Sequence, residues 1–177
     1  MSWVKEIPET QASGQVKETY SRIQNIFRMV PNFFRAQGAT PGFLAAQVPF
    51  FEQALGDGAL PRKIKEQLAV VVSGLNTSSY CIALHMENLR ALGIEKAEGR
   101  KLAVDYPHAP VEPKVLALFR LADKLTRQPM GIEKADWDEA LAAGWSEAQL
   151  LEAVQVVAAM NFANRISIGL GLVSEFM

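Results

Sequence analysis

Cys81 and His85 are the residues in this sequence whose types and spacing best suit chemistry. On a helix, side chains four residues apart lie on one face, so this spacing places a thiol beside an imidazole that can accept its proton. Thr77, Ser78 and Ser79 favour a helix start, which places Cys81 in the first turn, where free backbone NH groups favour a thiolate. The pattern therefore predicts a reactive thiol.

A carboxylate for the same site comes from the segment before Asn76. Apolar residues recur at helical spacing on both sides of Asn76 and Thr77, which predicts two helices that turn back on each other. At 1.5 Å per residue, Glu66 lies about 15 Å before this turn and His85 roughly 12 to 14 Å after it. An antiparallel pair would therefore bring Glu66 to His85 rather than to Cys81. The carboxylate would then orient the imidazole and the imidazole would take the thiol proton, although the same acid and base also suit proton transfer without a thiol.

This arrangement resembles the core motif of the AhpD-like alkylhydroperoxidase and carboxymuconolactone decarboxylase superfamily. The motif consists of Glu66, the run Ser-Ser-Tyr-Cys at residues 78–81, and His85. Residues 161–166 are similar to the final helix of the peroxidase-related branch, so the resemblance extends from about Phe33 to the end of the chain. It implies an all-α, AhpD-like helical bundle in which a central antiparallel helix pair carries the motif.

The resemblance also implies site residues. Peroxidase members carry a glutamate, then Cys-x-x-Cys, then a histidine, and their second cysteine reacts with peroxide while the first resolves it as a disulfide. Glu66, Cys81 and His85 match the catalytic positions, with Ser78 and Tyr80 as supporting residues. Ser78 stands where the resolving cysteine would be, and Cys81 is the only cysteine, so a disulfide within the chain is excluded. Peroxide reduction here would need an external thiol or a reductant protein, and Ser78 would donate a hydrogen bond to the thiolate.

Two other functions remain open at this stage. A decarboxylase-like enzyme would use Glu66 and His85 as acid and base on a small carboxylated or lactone substrate, and Cys81 would take no part. A non-catalytic oligomeric relative would bind a small apolar ligand or a partner, and Ser78 at the resolving position favours it. A zinc site formed by the same acid, imidazole and thiol would need residues to orient the ligands, and the sequence shows none, so neither metal nor cofactor is expected.

Composition limits the class of protein. The chain of 177 residues suits a single domain over residues 1–177, with residues 1–12 as an N-terminal arm anchored by Trp3 and Ile7. Hydrophobic residues make up 49%, charged residues 21%, and the net charge is −1, so neither nucleic acid nor an anionic membrane is an expected partner. A lone cysteine suits a reducing compartment, which favours a cytoplasmic location, and no run approaches the ~20 apolar residues that span a bilayer.

Helical periodicity continues through the rest of the chain, so the fold class expected is all-α. Further helices are expected over residues 13–27, 95–104, 111–126 and 133–142, with others starting near Pro41, Pro61 and Ser146. Ser146 and Gln149 fit a capping box. The stretch 69–75 is apolar all round and is expected to be buried. This agrees with the self-association into dimers, trimers or hexamers that the resemblance implies.

Several polar and aromatic residues have two interpretations. The phenylalanines between residues 33 and 51 are expected in the core, or Phe33, Phe34 or Phe50 forms the wall of an apolar pocket above the thiol. Asn161, Asn164 and Arg165 either hydrogen-bond loop carbonyls or form a subunit contact, or Arg165 binds an anionic substrate. His108 lies between prolines and is expected at the surface.

Overall fold

The computed structural model describes residues 2–175, and all of its regular secondary structure in this range consists of helices. The helices are α1 (Gly14–Phe27), α2 (Asn32–Arg35), α3 (Pro41–Leu55), α4 (Arg62–Leu75), α5 (Ser79–Ala91), α6 (Lys96–Asp105), α7 (Pro113–Arg127), α8 (Lys134–Ala142) and α9 (Glu147–Gly169). Short 3₁₀ turns lie at Glu9–Gln11, Tyr106–His108 and Pro129–Gly131. The expected all-α fold is confirmed. Between residues 2 and 175, no helix is both long and apolar enough to cross a membrane.

α4 lies at the centre of the bundle, packed against α5, α6, α7 and α9. Every residue from Lys65 to Ser73 is buried. Of the apolar stretch 69–75, which was expected to be buried, residues 69–73 are buried, whereas Gly74 and Leu75 are half-buried. The chain reverses at Asn76 and Thr77, and α5 runs back along α4. The central antiparallel pair predicted from the sequence is therefore present.

Local sequence signals place several helix starts. Pro41 is the first residue of α3, as the Thr40–Pro41 pair predicts, because a proline at this position loses no helical hydrogen bond. Ser146 and Gln149 form the predicted capping box, with exchanged hydrogen bonds of 3.0 and 3.3 Å. His108, predicted to lie in a loop, occupies a single 3₁₀ turn with its side chain 77% exposed.

Polar residues of α9 hold the turn between α4 and α5. The Asn76 side-chain amide donates to Oδ1 of Asn161 and of Asn164, each at 2.9 Å. Asn164 also donates to the Ser73 hydroxyl at 3.0 Å. Loop carbonyls, one of the expected sets of partners, are not the partners found. Asn164 contacts side chains at the turn, and Asn161 also donates to the Thr126 hydroxyl and to the helix carbonyl of Val157. Arg165, the candidate for anion binding, donates to the carbonyl and side-chain oxygens of Asn161 at 2.9 and 2.8 Å.

The N-terminal arm lies against the body of the bundle. The Trp3 amide donates to the Leu170 carbonyl at 2.9 Å, and the Ile7 amide donates to the Arg35 carbonyl at 3.1 Å. The Trp3 ring covers Gly171, where a Cβ atom would lie 2.5 Å from the indole, yet the Trp3 side chain remains largely exposed. Both residues expected as anchors thus contact the body of the chain.

A buried ion pair joins α9 to the start of α4. The Lys65 ammonium group, on a side chain only 1% exposed, donates to the Gly56 carbonyl at 2.8 Å and contacts Glu152 at 2.9 Å. Glu152 also accepts hydrogen bonds from the Ala59 and Leu60 amides at 2.7 and 2.9 Å. Burial acts to raise the pKa of Glu152, but these hydrogen bonds outweigh it and lower the pKa to about 2.

Replacing this carboxylate tests how much the ion pair stabilises the fold. We expect Glu152→Gln to lower the free energy of unfolding at neutral pH by about 1 to 3 kcal/mol, because Lys65 is left buried without its counter-charge. Since the pKa of Glu152 falls from 4.5 to about 2 on folding, its contribution is complete above pH 4.5 and is lost as the pH falls through 2. Urea unfolding at several pH values should show the difference between the two proteins shrinking over that interval.

Glu147→Gln is the matched control, since Glu147 is an exposed carboxylate in the first turn of the same helix. We expect it to change stability by only a few tenths of a kcal/mol. Equal destabilisation by both substitutions would contradict a specific role for the pair.

Candidate active site

Glu66 on α4 and His85 on α5 meet between the two central helices. Oε2 of Glu66 lies 2.7 Å from Nδ1 of His85, and the two residues are 0% and 5% exposed. The antiparallel helix pair thus brings the carboxylate to the imidazole, as the spacing predicts. Because Glu66 engages Nδ1, Nε2 is the ring nitrogen left for proton transfer.

Two more residues hold Glu66, and the sequence analysis missed both. A guanidinium nitrogen of Arg62 lies 2.5 Å from Oε1 of Glu66, and the Asn88 amide donates to Oε2 at 3.1 Å. Burial acts to raise the pKa of Glu66, but His85, Arg62 and Asn88 outweigh it and lower the pKa, so the carboxylate is charged at neutral pH. Arg62 is four residues before Glu66 and Asn88 is three after His85. Helical spacing was therefore the signal that could have found them.

Cys81 lies in the first turn of α5, as expected, and is only 2% exposed. Its sulfur lies 3.5 Å from the hydroxyl oxygen of Ser167 on α9. Ser78 was expected to donate a hydrogen bond to the sulfur, and this expectation is wrong because its hydroxyl lies 2.8 Å from that of Ser167. Ser167, which the sequence analysis missed, therefore lies between Ser78 and Cys81. No local pattern pointed to it, because it comes 86 residues after Cys81.

Tyr80 joins three parts of the chain behind the thiol. Its hydroxyl accepts a hydrogen bond from the Phe33 amide at 3.1 Å and donates to Glu175 at 3.4 Å. Glu175 also accepts from the Asn32 amide at 3.0 Å, so the C-terminal segment is fixed to the start of α2. Burial, together with the nearby Glu175 charge, raises the pKa of Tyr80 far above its usual range. The phenol therefore stays neutral and acts as a structural support.

Cys81 and His85 both line one cavity of about 190 Å³. Its other walls are mainly apolar and come from α1, α3, α5 and α9 and from the segment around α2, including Phe27, Phe33, Phe34, Val48, Phe51, Leu84, Met160 and Ala163. Glu52 and Arg62 line it as well, and both side chains are partly exposed, so the cavity reaches the surface beside them. The thiol is therefore buried but not closed off.

The phenylalanines have both of the roles that the sequence suggested. Phe33 and Phe34 are buried in the core and also line the cavity. Phe50, the third candidate for the wall, is instead 45% exposed, with its ring packed on Phe51 and Phe162. Phe27 and Phe51 line the cavity in its place.

These features define a class of protein: an all-α bundle in which a thiol at a helix start and an imidazole held by a buried glutamate face a shared apolar cavity. The family model for the Carboxymuconolactone decarboxylase family matches residues 41–123, the segment that contains all three side chains. A sequence comparison with curated proteins finds no match.

In the part of the chain that the structure describes, no group of three or more His, Cys, Asp or Glu side chains is arranged to hold a metal ion.

Solved structures with this fold cover nearly the whole chain. An uncharacterized peroxidase-related protein from Ralstonia eutropha JMP134, with an alkylhydroperoxidase AhpD core, has a TM-score of 0.90 and 20% identity over 98% of this chain and 92% of its own. A peroxidase-related protein from Silicibacter sp. TM1040 has a TM-score of 0.84 and 24% identity over 98% and 94%. A cysteine-to-alanine variant of the debrominase Bmp8, in complex with 2,3,4-tribromopyrrole, has a TM-score of 0.81 and 17% identity over 98% and 91%.

At these identities the structural likeness shows the fold, and the family match adds the motif-bearing segment. The chain therefore has the AhpD-like fold, and its residues 41–123 match the Carboxymuconolactone decarboxylase family model.

The role of the carboxylate can be tested without knowing a substrate. We expect Glu66→Gln to slow alkylation of Cys81 by iodoacetamide at neutral pH by about tenfold to a hundredfold. The neutral amide would no longer orient and charge-stabilise the His85 imidazole, which we expect to accept the thiol proton. The rate is measured by quenching samples in acid and following the mass of the alkylated protein.

Glu52→Gln provides the matched control, because Glu52 lines the same cavity but pairs with Arg22 near the surface. We expect its alkylation rate to stay within about twofold of the wild type, since the His85 contact is intact. A similar loss in both variants would indicate a general effect of charge at the cavity, and not a specific role of Glu66.

Proposed function

We propose that the protein is a thiol peroxidase that reduces small organic hydroperoxides through Cys81. One observation carries this proposal: Cys81 and His85 line the same cavity, while Glu66 holds the imidazole at 2.7 Å. A thiol nucleophile with an adjacent base, and a third group that orients the base, is the arrangement that nucleophilic catalysis needs.

The chemistry follows from these positions. His85 takes the Cys81 proton, and the thiolate attacks the terminal oxygen of R–O–O–H. The O–O bond breaks, the sulfur is oxidised to S–OH, and the alkoxide RO⁻ takes the proton back from the His85 imidazolium to leave as ROH. Glu66 stabilises the imidazolium that exists between these two proton transfers.

The sulfenic acid must be reduced from outside the chain. Cys81 is the only cysteine, and Ser78 at the position of a resolving cysteine cannot form a disulfide. An external thiol R′–SH attacks the S–OH group and releases water, and a second thiol frees Cys81 as R′–S–S–R′ forms. We therefore propose that a small thiol or a reductant protein completes the cycle.

The cavity supports an organic rather than an inorganic peroxide. Its phenylalanine, leucine and methionine walls favour an apolar body, and a volume of about 190 Å³ suits a small one. The debrominase Bmp8 has this fold and binds 2,3,4-tribromopyrrole, a small apolar ring. A halogenated ring therefore belongs beside alkyl and aryl hydroperoxides in a panel of trial substrates.

An acid/base function is the second candidate. It is favoured by the fact that the Glu66 contacts with His85, Arg62 and Asn88 are complete without the sulfur. In that case the imidazole would move protons on a small carboxylated or lactone substrate, and the thiol would be dispensable.

Trapping the oxidised thiol separates the two candidates. We expect wild-type protein treated with an aryl hydroperoxide and dimedone to carry one dimedone adduct on Cys81, because the sulfenic acid has no cysteine in the chain to resolve it. Cys81→Ser should carry none and should consume no hydroperoxide. Peptide mapping by mass spectrometry locates the adduct. Absence of an adduct under mild oxidation, or survival of activity on a lactone substrate in Cys81→Ser, would favour the acid/base function.

Restoring the second thiol gives an independent test. We expect Ser78→Cys to form a disulfide with Cys81 after peroxide treatment, because the substitution recreates Cys-x-x-Cys at a helix start. The dimedone adduct should then disappear, and a thiol titration should show both thiols lost. Ser79→Cys is the matched control, since Ser79 is exposed whereas Ser78 is buried. It should keep the adduct on Cys81, and loss of the adduct in this control too would show that thiol proximity is not the cause.

A further inference from the structure

Ser167 is a buried hydroxyl at the centre of the polar contacts around the thiol. It is 1% exposed, and its oxygen lies 3.5 Å from the sulfur of Cys81, 2.8 Å from the hydroxyl of Ser78 and 3.0 Å from the carbonyl oxygen of Asn164. One hydroxyl therefore faces a sulfur, another hydroxyl and a carbonyl, although it has a single proton to donate.

Counting protons fixes the direction of these contacts. Ser78 is 1% exposed and stands at the N-cap position of α5, yet its hydroxyl contacts Ser167 and not the helix backbone. A buried hydroxyl needs an acceptor, so Ser78 donates to Ser167. The proton of Ser167 is then shared between two acceptors, the Asn164 carbonyl and the Cys81 sulfur.

Which acceptor receives that proton depends on the charge of the sulfur. A neutral thiol is a weak acceptor, so with protonated Cys81 the hydroxyl of Ser167 donates to the Asn164 carbonyl. A thiolate is a charged acceptor, and hydrogen bonds to charged groups are about twice as strong as neutral ones. The Asn164 carbonyl still has a hydrogen-bond donor when the Ser167 hydroxyl turns away, because this carbonyl lies inside α9 and also accepts the regular helical hydrogen bond.

We propose that Ser167 is a positioning residue that stabilises the Cys81 thiolate by turning its hydroxyl from the Asn164 carbonyl to the sulfur. Ser78 supports this turn by donating to Ser167, so the ionised site contains the chain Ser78 O–H to Ser167 O–H to Cys81 S⁻. The thiol proton itself goes to His85, and no proton is gained or lost along the serine chain. The relevance to peroxide reduction rests on the proposed function, whereas the stabilisation of the thiolate does not.

The surroundings of Ser167 hold it in place for this role. Asn164, one turn earlier on α9, is itself held at the α4–α5 turn by the Asn76 side chain, which donates to it independently of Ser73. The hydroxyl therefore keeps its distance from the helix start that carries Cys81. Ser78, at the position expected for a resolving cysteine, would in this arrangement donate a hydrogen bond to the Ser167 oxygen.

The test measures how fast iodoacetamide alkylates Cys81 across a range of pH, because only the thiolate reacts. We expect Ser167→Ala to move the midpoint of this profile upward by about one pH unit, which makes alkylation at neutral pH about tenfold slower. Ser78→Ala should move it in the same direction by less, since its hydroxyl acts only through Ser167. Thermal unfolding of each variant checks that the fold is retained.

Ser73→Ala is the matched control. Ser73 is another fully buried serine that bonds to Asn164, but its hydrogen bond leads away from the sulfur. We expect it to leave the alkylation profile unchanged, even where it lowers the unfolding temperature as much as Ser167→Ala does. A profile for Ser167→Ala that superimposes on the wild type would overturn the proposal, and so would an equal shift in Ser73→Ala.

The charged groups near the thiol are the same in all of these proteins. They are His85 on α5, Glu66 and Arg62 on α4, Glu52 on α3, and Glu175 beside Tyr80. A shift confined to Ser167→Ala and Ser78→Ala therefore reports the serine chain and not a changed carboxylate or imidazole.

The alkylation reaction also separates this proposal from the peroxidase proposal, because it uses neither peroxide nor reductant. A shifted profile without any dimedone adduct in the wild type would leave the Ser167 role intact and remove the peroxidase function. An adduct in the wild type with an unshifted profile in Ser167→Ala would support the peroxidase function and remove the role of Ser167.

Discussion

The buried charge of Glu66 is the constraint on which the rest of the site depends. An ionised carboxylate with no exposed surface is unfavourable unless charged and hydrogen-bonding partners surround it. Those partners come from both central helices, with Arg62 on α4 and His85 and Asn88 on α5. The contacts that compensate the carboxylate therefore depend on how α5 is placed along α4. The contact of Glu66 with His85 also orients the imidazole through its Nδ1 atom.

The last helix, α9, controls the other half of the site. Its asparagines hold the turn between α4 and α5, and its Ser167 contacts the sulfur. Near the start of the same helix, Glu152 compensates the buried charge of Lys65 at the opposite end of α4. Both ends of the central helix are thus fixed by α9. The distance between acid, imidazole and thiol follows from contacts that lie some 90 residues apart in sequence.

The site combines a network of charged, hydrogen-bonded side chains with an apolar cavity. His85 and Cys81 lie on one side, with Glu66 behind the imidazole, and phenylalanine side chains form much of the remaining wall. A small apolar hydroperoxide would lose water on entering such a cavity, and the charged groups would act on its O–O bond without competition from solvent. Serine at the position of the resolving cysteine leaves Cys81 as the only cysteine of the chain. The Ser78 hydroxyl lies 2.8 Å from that of Ser167, and a thiol would be a weaker donor there.

Local patterns in the sequence determined the helices, the position of Cys81 in the first turn of α5, and the pairing of Glu66 with His85. Each of these depends on helical periodicity and on a short turn, so a few neighbouring residues suffice to predict it. Tertiary structure alone decided that Ser167 contacts the sulfur in place of Ser78, that Lys65 is buried, and that Phe51 rather than Phe50 lines the cavity. These outcomes depend on how α3 and α9 are rotated against the central pair, and packing between segments distant in sequence sets that rotation.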